Sequence, residues 1–231
     1  MLNRIKAVVM ALILCLAVPP ALANEFTDAE YSGKWNSSFI FNVGWSQEKN
    51  ACASPWMGDF DPALGSYCTE NHQAYRLAFD HQFTPEWGMD VSYGDLGNAQ
   101  GRGFFIGSGA SELWNMKVGG WSFAATRTHH FNKNLSVFGK LGIVRAEFTE
   151  SIFTTISGVS MHGVTLNGVN IINTNRFGPA FGIGAQYDFN DTYGVRVHYE
   201  NFGKYDIYST YGLSTPKISL SMISAGLVFK F

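Results

Sequence analysis

Apolar and polar residues alternate along most of the chain in runs of about ten, the period-2 signature of strands with two unlike faces. From Phe177 to Phe189, Pro179, Phe181, Ile183, Ala185 and Tyr187 share a face with the two phenylalanines. Gly178, Ala180, Gly182, Gly184, Gln186 and Asp188 take the other. Tyr193, Val195, Val197 and Tyr199 alternate with Gly194, Arg196, His198 and Glu200. Tyr75, Leu77, Phe79 and Phe83 alternate with Arg76, Ala78, Asp80 and Gln82, and His81 interrupts the apolar face. Met89, Val91 and Tyr93 alternate with Asp90, Ser92 and Gly94. Val137, Leu141 and Ile143 lie opposite Ser136, Phe138, Lys140 and Gly142. Phe39, Phe41, Val43 and Trp45 form one face near the start, and Ile223, Ala225, Leu227, Phe229 and Phe231 form one at the end. The fourth strand, about Trp114 to Thr128, is less regular, and Gly119-Gly120 is placed there to carry a bulge or kink.

The connections alternate in length. Long ones are expected over 46–73, 97–113, 149–175 and 203–216. Thr84-Pro85-Glu86, Asn132-Lys133-Asn134 and Asn190-Asp191-Thr192 are short and rich in turn residues. Seven connections predict eight strands. A closed, all-β, antiparallel up-and-down barrel follows, with long loops at one end, tight turns at the other, and both termini on the tight-turn side. No run of 18 apolar residues offers a helical span. In hydrocarbon, only a closed barrel then satisfies every backbone group. The apolar face meets lipid and the polar, small face lines the interior. Aromatics near strand ends read as two interfacial girdles: Phe83, Trp87, Phe131, Phe189, Tyr193 and Phe231 at the short turns; Trp45, Tyr93, Trp114, Phe148 and Phe177 at the other end.

Composition agrees with a membrane barrel. Charged residues make up 15% of the 231, well below the roughly 25% of a soluble domain. Aromatics also reach 15%, and there are 25 glycines. A formal charge of −2 leaves no basic footprint for nucleic acid.

Residues 1–23 read as an export signal. Arg4 and Lys6 precede an apolar stretch from Ala7 to Val18, and Ala21-Leu22-Ala23 is a small-x-small cleavage site that leaves 24–231 as the barrel domain. Of three cysteines, Cys15 lies in the signal. The exported pair Cys52 and Cys68 is expected to form a disulfide, worth about 3 kcal/mol by chain entropy.

These residues resemble the small eight-stranded outer-membrane barrels of the OmpA type. The likeness is carried by the Cys52…Cys68 first loop, Ala74-Tyr75-Arg76-Leu77, Tyr93-Gly94-Asp95-Leu96-Gly97, Leu135 to Gly142, Gly182 to Phe189, Val195 to Phe202 and Ser224 to Phe231. The resemblance implies a Gram-negative outer-membrane location and contact with lipopolysaccharide and phospholipid. It also implies that Phe231, with Phe229 and Leu227, is read by the outer-membrane assembly machinery. The parent proteins continue into a peptidoglycan-binding domain, which the present sequence lacks, so a cell-wall tether is not implied. His198 stands where relatives often carry another polar or acidic residue.

Candidate chemistry falls into three groups. Arg76, Asp80, Asp90, Lys140, Arg196, His198 and Glu200 face the interior; without the histidine, three are positive and three negative. Eight strands leave an interior just wide enough for side chains to fill, so these groups form a polar plug or, by exchanging partners, a narrow low-conductance gate. An enzymatic alternative, modification of lipid A, would need a serine beside a histidine. Ser209 and Ser214 follow His198 and Glu200, but both of the latter point inward, while His129-His130 adjoin a turn. No catalytic residue, metal or cofactor is expected, because no HExxH, CxxC, P-loop or GxSxG occurs. The third group is the loops. Ile152, Phe153, Ile156, Met161, Leu166 and Ile171 make 149–175 unusually apolar, either as a strand ribbon above the membrane or as a surface for a host protein, phage or neighbouring barrel. Loop one, with Trp56, is a second such surface. The expected whole is a monomeric, non-enzymatic barrel with a structural role in the envelope and loops for adhesion.

Overall fold

The computed structural model describes residues 37–53, 65–104, 110–156, 159–160, 171–207 and 217–231; for 104, 110, 111, 153–156, 159, 160, 171 and 172 it describes the backbone alone. Eight long strands are β1 (Ser37–Lys49), β3 (Asn71–Gln82), β4 (Trp87–Phe104), β5 (Ala110–His130), β6 (Leu135–Ile156), β8 (Ile171–Asp188), β9 (Tyr193–Tyr205) and β10 (Ile218–Lys230). Two short strands, β2 (Tyr67–Thr69) and β7 (Val159–Ser160), pair with β4 and β6. The long strands run β4-β3-β1-β10-β9-β8-β6-β5, and β5 pairs back onto β4. Every pairing is antiparallel and the barrel is closed. Its seam joins β1 to β10 over twelve residue pairs, from Ser38↔Lys230 to Lys49↔Ser219.

The tight turns form as their sequences dictate. Asn132 Oδ1 accepts hydrogen bonds from the backbone N–H groups of Asn134 and Leu135, and Asn190 Oδ1 does the same for Thr192 and Tyr193. Thr84 Oγ1 takes the N–H groups of Glu86 and Trp87. Such side-chain acceptors let four residues reverse the chain.

Strand length departs from the expected loop pattern. A membrane span needs about 9–11 residues per tilted strand. β5 has 21 and β6 has 22, and β4 and β8 have 18 each. The described residues of 97–113 and 149–175 are therefore strand, and β1, β3 and β9 likewise reach into the other two expected loops. The four longest strands are neighbours, so the barrel has a tall wall (β4, β5, β6, β8) and a short one.

The inward and outward faces also change character along the axis. From the short turns to about Trp45, Tyr93, Trp121, Ile143 and Phe177, outward residues are apolar and exposed: Phe41, Leu77, Phe123, Leu141, Ile183, Val197 and Leu227 among them. Beyond that level the outward positions are mostly polar, Gln47, Asn115, Lys117, Glu147, Asn173, Asn175 and Lys204 among them, with Leu113 an exposed exception. There the inward positions are mostly apolar instead, apart from Glu48, Glu112 and Glu150: Trp114, Met116, Val118, Val144, Ala146, Phe148, Phe202, Tyr205, Ile218, Leu220 and Met222 form one buried cluster. Hydrocarbon demands an apolar exterior; water demands a polar one over an apolar core. Within single strands the hydrophobic phase inverts at this boundary, between Val118 and Trp121 in β5, Ile143 and Val144 in β6, and Met222 and Ile223 in β10. Trp114 and Phe148, expected in an interfacial girdle, are instead 1% and 2% exposed and lie in this distal core.

The bulge expected at Gly119-Gly120 sits on the partner strand. Register slips between Asp95 and Gly97 of β4, leaving Leu96 unpaired opposite Val118 and Gly119. Gly97 has φ 125°, and a Cβ there would lie about 2.0 Å from Glu48 Oε1 and Ser46 Oγ. Conformation and space both require glycine. A second irregularity pairs Ser219↔Lys204 but Ser221↔Asn201, with Gly203 at φ 89°. Both bulges fall at the boundary, where they help re-aim side chains. The expected signal at 1–23 lies outside the described residues.

Candidate functional site

The membrane-level lumen gathers all seven of the inward polar residues read from the sequence, each no more than 5% exposed. They divide into two layers. In the upper layer Arg76 donates from Nη2 to Asp90 Oδ1 at 2.6 Å, from Nη1 to Glu200 Oε2, and from Nε to Ser92 Oγ at 2.6 Å. Lys140 Nζ donates to Asp90 Oδ2 at 2.7 Å and to Glu200 Oε1 at 3.4 Å. Two cations and two carboxylates thus form a ring drawn from β3, β4, β6 and β9. Ser92 Oγ and Ser122 Oγ lie 2.6 Å apart beneath Arg76. In the lower layer Arg196 donates from Nη2 to Asp80 Oδ2 at 2.7 Å and from Nε to Gln186 Oε1 at 2.9 Å. Phe138 separates the layers. The Arg196 guanidinium carbon lies 4.4 Å from its ring centroid and Lys140 Nζ 5.7 Å, both within cation–π range. Buried charges are tolerated here because each has an opposite partner, and Arg76, Lys140, Asp90 and Glu200 each make a second polar contact.

Ser224 and His198 form a contact absent from the sequence reading. Ser224 Oγ lies 2.9 Å from His198 Nε2, and Glu200 Oε2 lies 3.0 Å from the same nitrogen. A hydrolytic relay needs serine on one ring nitrogen and the acid on the other. Here both face Nε2, so the trio packs the lumen rather than forming a relay. Ser224↔His198 is a direct cross-strand pair of β10 and β9, which only the register reveals. Ser209 and Ser214 lie outside the described residues.

Above the charges, the distal core closes the mouth of the barrel. Trp114 Nε1 donates to Glu150, Phe148 stacks edge-on to Tyr205 at 5.2 Å, and the Tyr205 hydroxyl donates to the carbonyl of Phe202. Two carboxyls at the margin of this core bind their protons far more tightly than an exposed glutamate. Burial pushes Glu112 up to about 7, and the charge of Glu150 adds to the effect. Burial also pushes Glu48 up to about 7 against the hydrogen bond from Ser46, whose Oγ donates at 2.7 Å, with Asp95 and Glu70 raising it further.

Cys52 and Cys68 are joined in a disulfide, their Cα atoms 6.0 Å apart. Cys68 packs partly buried against the distal core, and Cys52 N–H donates to Glu70 Oε1 at 3.1 Å. The bridge thus ties loop one to the β2–β4 edge. Of the apolar loop residues, Ile152 turns inward and packs against the core. Phe153, Ile156 and Ile171 belong to strand backbones, and Met161, Leu166 and Trp56 lie outside the described residues. At the opposite end Phe231 stacks on Phe39 at 5.2 Å and its N–H donates to the carbonyl of Ser37 at 3.0 Å, so the terminal aromatic is built into the seam. Among the described residues, no group of three or more His, Cys, Asp and Glu is arranged to hold a metal ion.

The fold recurs among solved structures. Neisserial surface protein A is 10% identical, with a TM-score of 0.50 over 87% of this chain and all of that one. OprG of Pseudomonas aeruginosa is 15% identical, with a TM-score of 0.49 over 86% of this chain and 98% of that one. The N-terminal barrel domain of Pseudomonas aeruginosa OprF is 12% identical, with a TM-score of 0.44 over 85% and 98%. No curated protein sequence matches the chain. The model of the OmpA-like transmembrane domain matches residues 39–231, the whole of the closed barrel. The chain is therefore an outer-membrane β-barrel and belongs to the OmpA-like transmembrane domain family.

Proposed function

We propose that this barrel is a non-conducting, non-enzymatic structural element of the outer membrane that holds its long-loop end rigidly outside the cell for adhesion or partner binding. One observation carries the reading: the bore is filled twice, by a ring of paired charges at membrane level and by a packed, largely apolar core above it. A water path would have to break the charge ring and also wet a core in which Trp114, Met116, Phe148, Leu220 and Met222 are at most 2% exposed. Partner exchange among Arg76, Lys140, Asp90 and Glu200 alone would not open it. Both termini then lie in the periplasm, and the outward apolar band sits among lipopolysaccharide and phospholipid, with the assembly machinery acting on Phe231 at insertion. The shared Nε2 contact of His198 supports the absence of hydrolytic chemistry.

The test is single-channel recording in planar bilayers of refolded native protein and of the double variant Lys140→Ala/Arg196→Ala. Silent membranes are expected for both; discrete conductance steps in either would overturn the sealed-bore reading. The adhesion half is tested separately by replacing residues 157–170 with a tight turn, which leaves β6 and β8 intact. Reduced attachment of expressing cells to host surfaces is expected, and undiminished attachment counts against the loop.

A further inference from the structure

An outward-facing groove of about 390 Å³ crosses β3, β4 and β5 at the level where lipid-facing residues give way to polar ones. Tyr75, Leu77 and Tyr93 line it, each about half exposed, and Lys117 and Asp95 stand at its distal edge. Gly94 and Gly119 leave bare backbone between them.

The two glycines differ. A Cβ at Gly94 would lie 2.5 Å from the Tyr75 carbonyl oxygen, and one at the adjacent Gly120 would lie 2.3 Å from that of Arg145. Strand packing forbids a side chain at either. At Gly119 a Cβ meets only the Gly94 carbonyl at 3.4 Å, and the backbone lies outside the left-handed region. Neither conformation nor strand packing calls for glycine there. What the missing side chain leaves is the groove.

The edge charges differ too. Asp95 Oδ1 is engaged with the N–H of Gly97 at 2.9 Å, where it stabilises the bulge. Lys117 has no ion pair among the described residues. The groove therefore offers an apolar bed open to hydrocarbon with an available cation at its water-side end. Tyr93 and Trp121, whose rings lie 4.7 Å apart, mark the headgroup level beside it.

We propose that this groove is a lipid-binding site, which holds one acyl chain of a membrane lipid along Leu77, Tyr93 and Gly119 and an anionic headgroup at Lys117. The chemistry is close van der Waals packing of one acyl chain in the gap left by Gly119, combined with charge complementarity at the interface.

Native mass spectrometry of the folded barrel, released from detergent in the presence of phosphatidylglycerol or phosphatidylcholine of identical chains, tests this. One retained phosphatidylglycerol per barrel is expected, with less retained phosphatidylcholine. Gly119→Leu, which fills the groove, should abolish selective retention, and Lys117→Gln should weaken it about fivefold. Gly119→Ala is the conservative control and should keep most of it. Equal retention of the two lipids by the native protein overturns the proposal, as does undiminished phosphatidylglycerol retention in Gly119→Leu. A cross-linked dimer lost in Gly119→Leu assigns the groove to a second copy and equally overturns it. Should Gly119→Leu fail to fold, Lys117→Gln still decides, because its side chain faces solvent and unchanged retention there removes the headgroup contact.

Discussion

The membrane-level lumen and the distal core occupy the same bore, a few residues apart along the same strands, yet solve opposite problems. In the lumen the exterior solvent is hydrocarbon, so the apolar residues go out and the interior keeps charges that must pair: Arg76, Lys140, Asp90 and Glu200. In the distal part the solvent is water, so Asn115, Lys117 and Asn173 go out while Trp114, Phe148 and Met222 go in. One backbone carries both arrangements because strand geometry fixes only that neighbours alternate, not which side is apolar. The lesson is that the bilayer edge is written into the strands as a change of phase, assisted by bulges at Leu96 and Gly203.

Removing one partner from the lumen should show the largest effect. Arg76→Ala leaves Glu200 and Asp90 sharing Lys140 and is expected to cost about 3–5 kcal/mol in urea unfolding from lipid vesicles. A comparable loss for the similarly sized, uncharged quartet Arg76→Met/Asp90→Asn/Lys140→Met/Glu200→Gln, which leaves no charge unpaired, would show that bulk rather than pairing matters there. The outward faces provide the next test. Leu141→Arg, at a fully lipid-facing position, should cost about 2–4 kcal/mol. Asn115→Arg, outward on the distal part, should stay within about 0.5 kcal/mol. Equal costs would break the distinction between the two solvents. Cys52→Ser/Cys68→Ser should lower stability by about 3 kcal/mol. The loss should appear as faster hydrogen exchange in β4 and β5 beyond Gly97, with the lumen-level amides unchanged.

The smallest effect concerns pH. Glu112 binds a proton in the folded state up to about pH 7, whereas in the unfolded chain it ionises near 4.5. Its contribution to stability is thus fully present below about pH 4.5, falls as pH rises through 7, and is flat above. Glu48 acts in the same sense. Unfolding midpoints should decline over this window, and Glu112→Gln should flatten the decline. A midpoint that instead rises over the window would contradict the burial of these carboxyls.

The closed eight-stranded barrel was legible because lipid imposes one rule on every outward position between the turns, and because Asn132, Asn190 and Thr84 announce those turns locally. The seven inward polar residues followed from the same alternation. What alternation cannot report is where the rule reverses. Trp114-x-Met116-x-Val118 and Trp121-x-Phe123-x-Ala125 have opposite phase across Gly119-Gly120, and taking 97–113 and 149–175 as loops put Trp114 and Phe148 at strand ends, among the interfacial aromatics. Ser92, Ser122 and Ser224 were not among the expected lumen partners, because alternation places a small hydroxyl on a face without saying what it meets. Their roles depend on register, which pairs Ser92 with Ser122 and Ser224 with His198.

The β1–β10 seam brings Ser37 and Phe231 side by side, and it unites strands of equal length in unbroken register. Topologically, the cylinder therefore has no privileged first strand. A circular permutant that links Phe231 to Ser37 and opens the chain at Asn132-Lys133-Asn134 would keep all eight pairings while placing Phe231 in mid-chain. Such a permutant would separate what the closed cylinder asks of that phenylalanine, a ring stacked on Phe39, from what insertion into the membrane asks of a chain end.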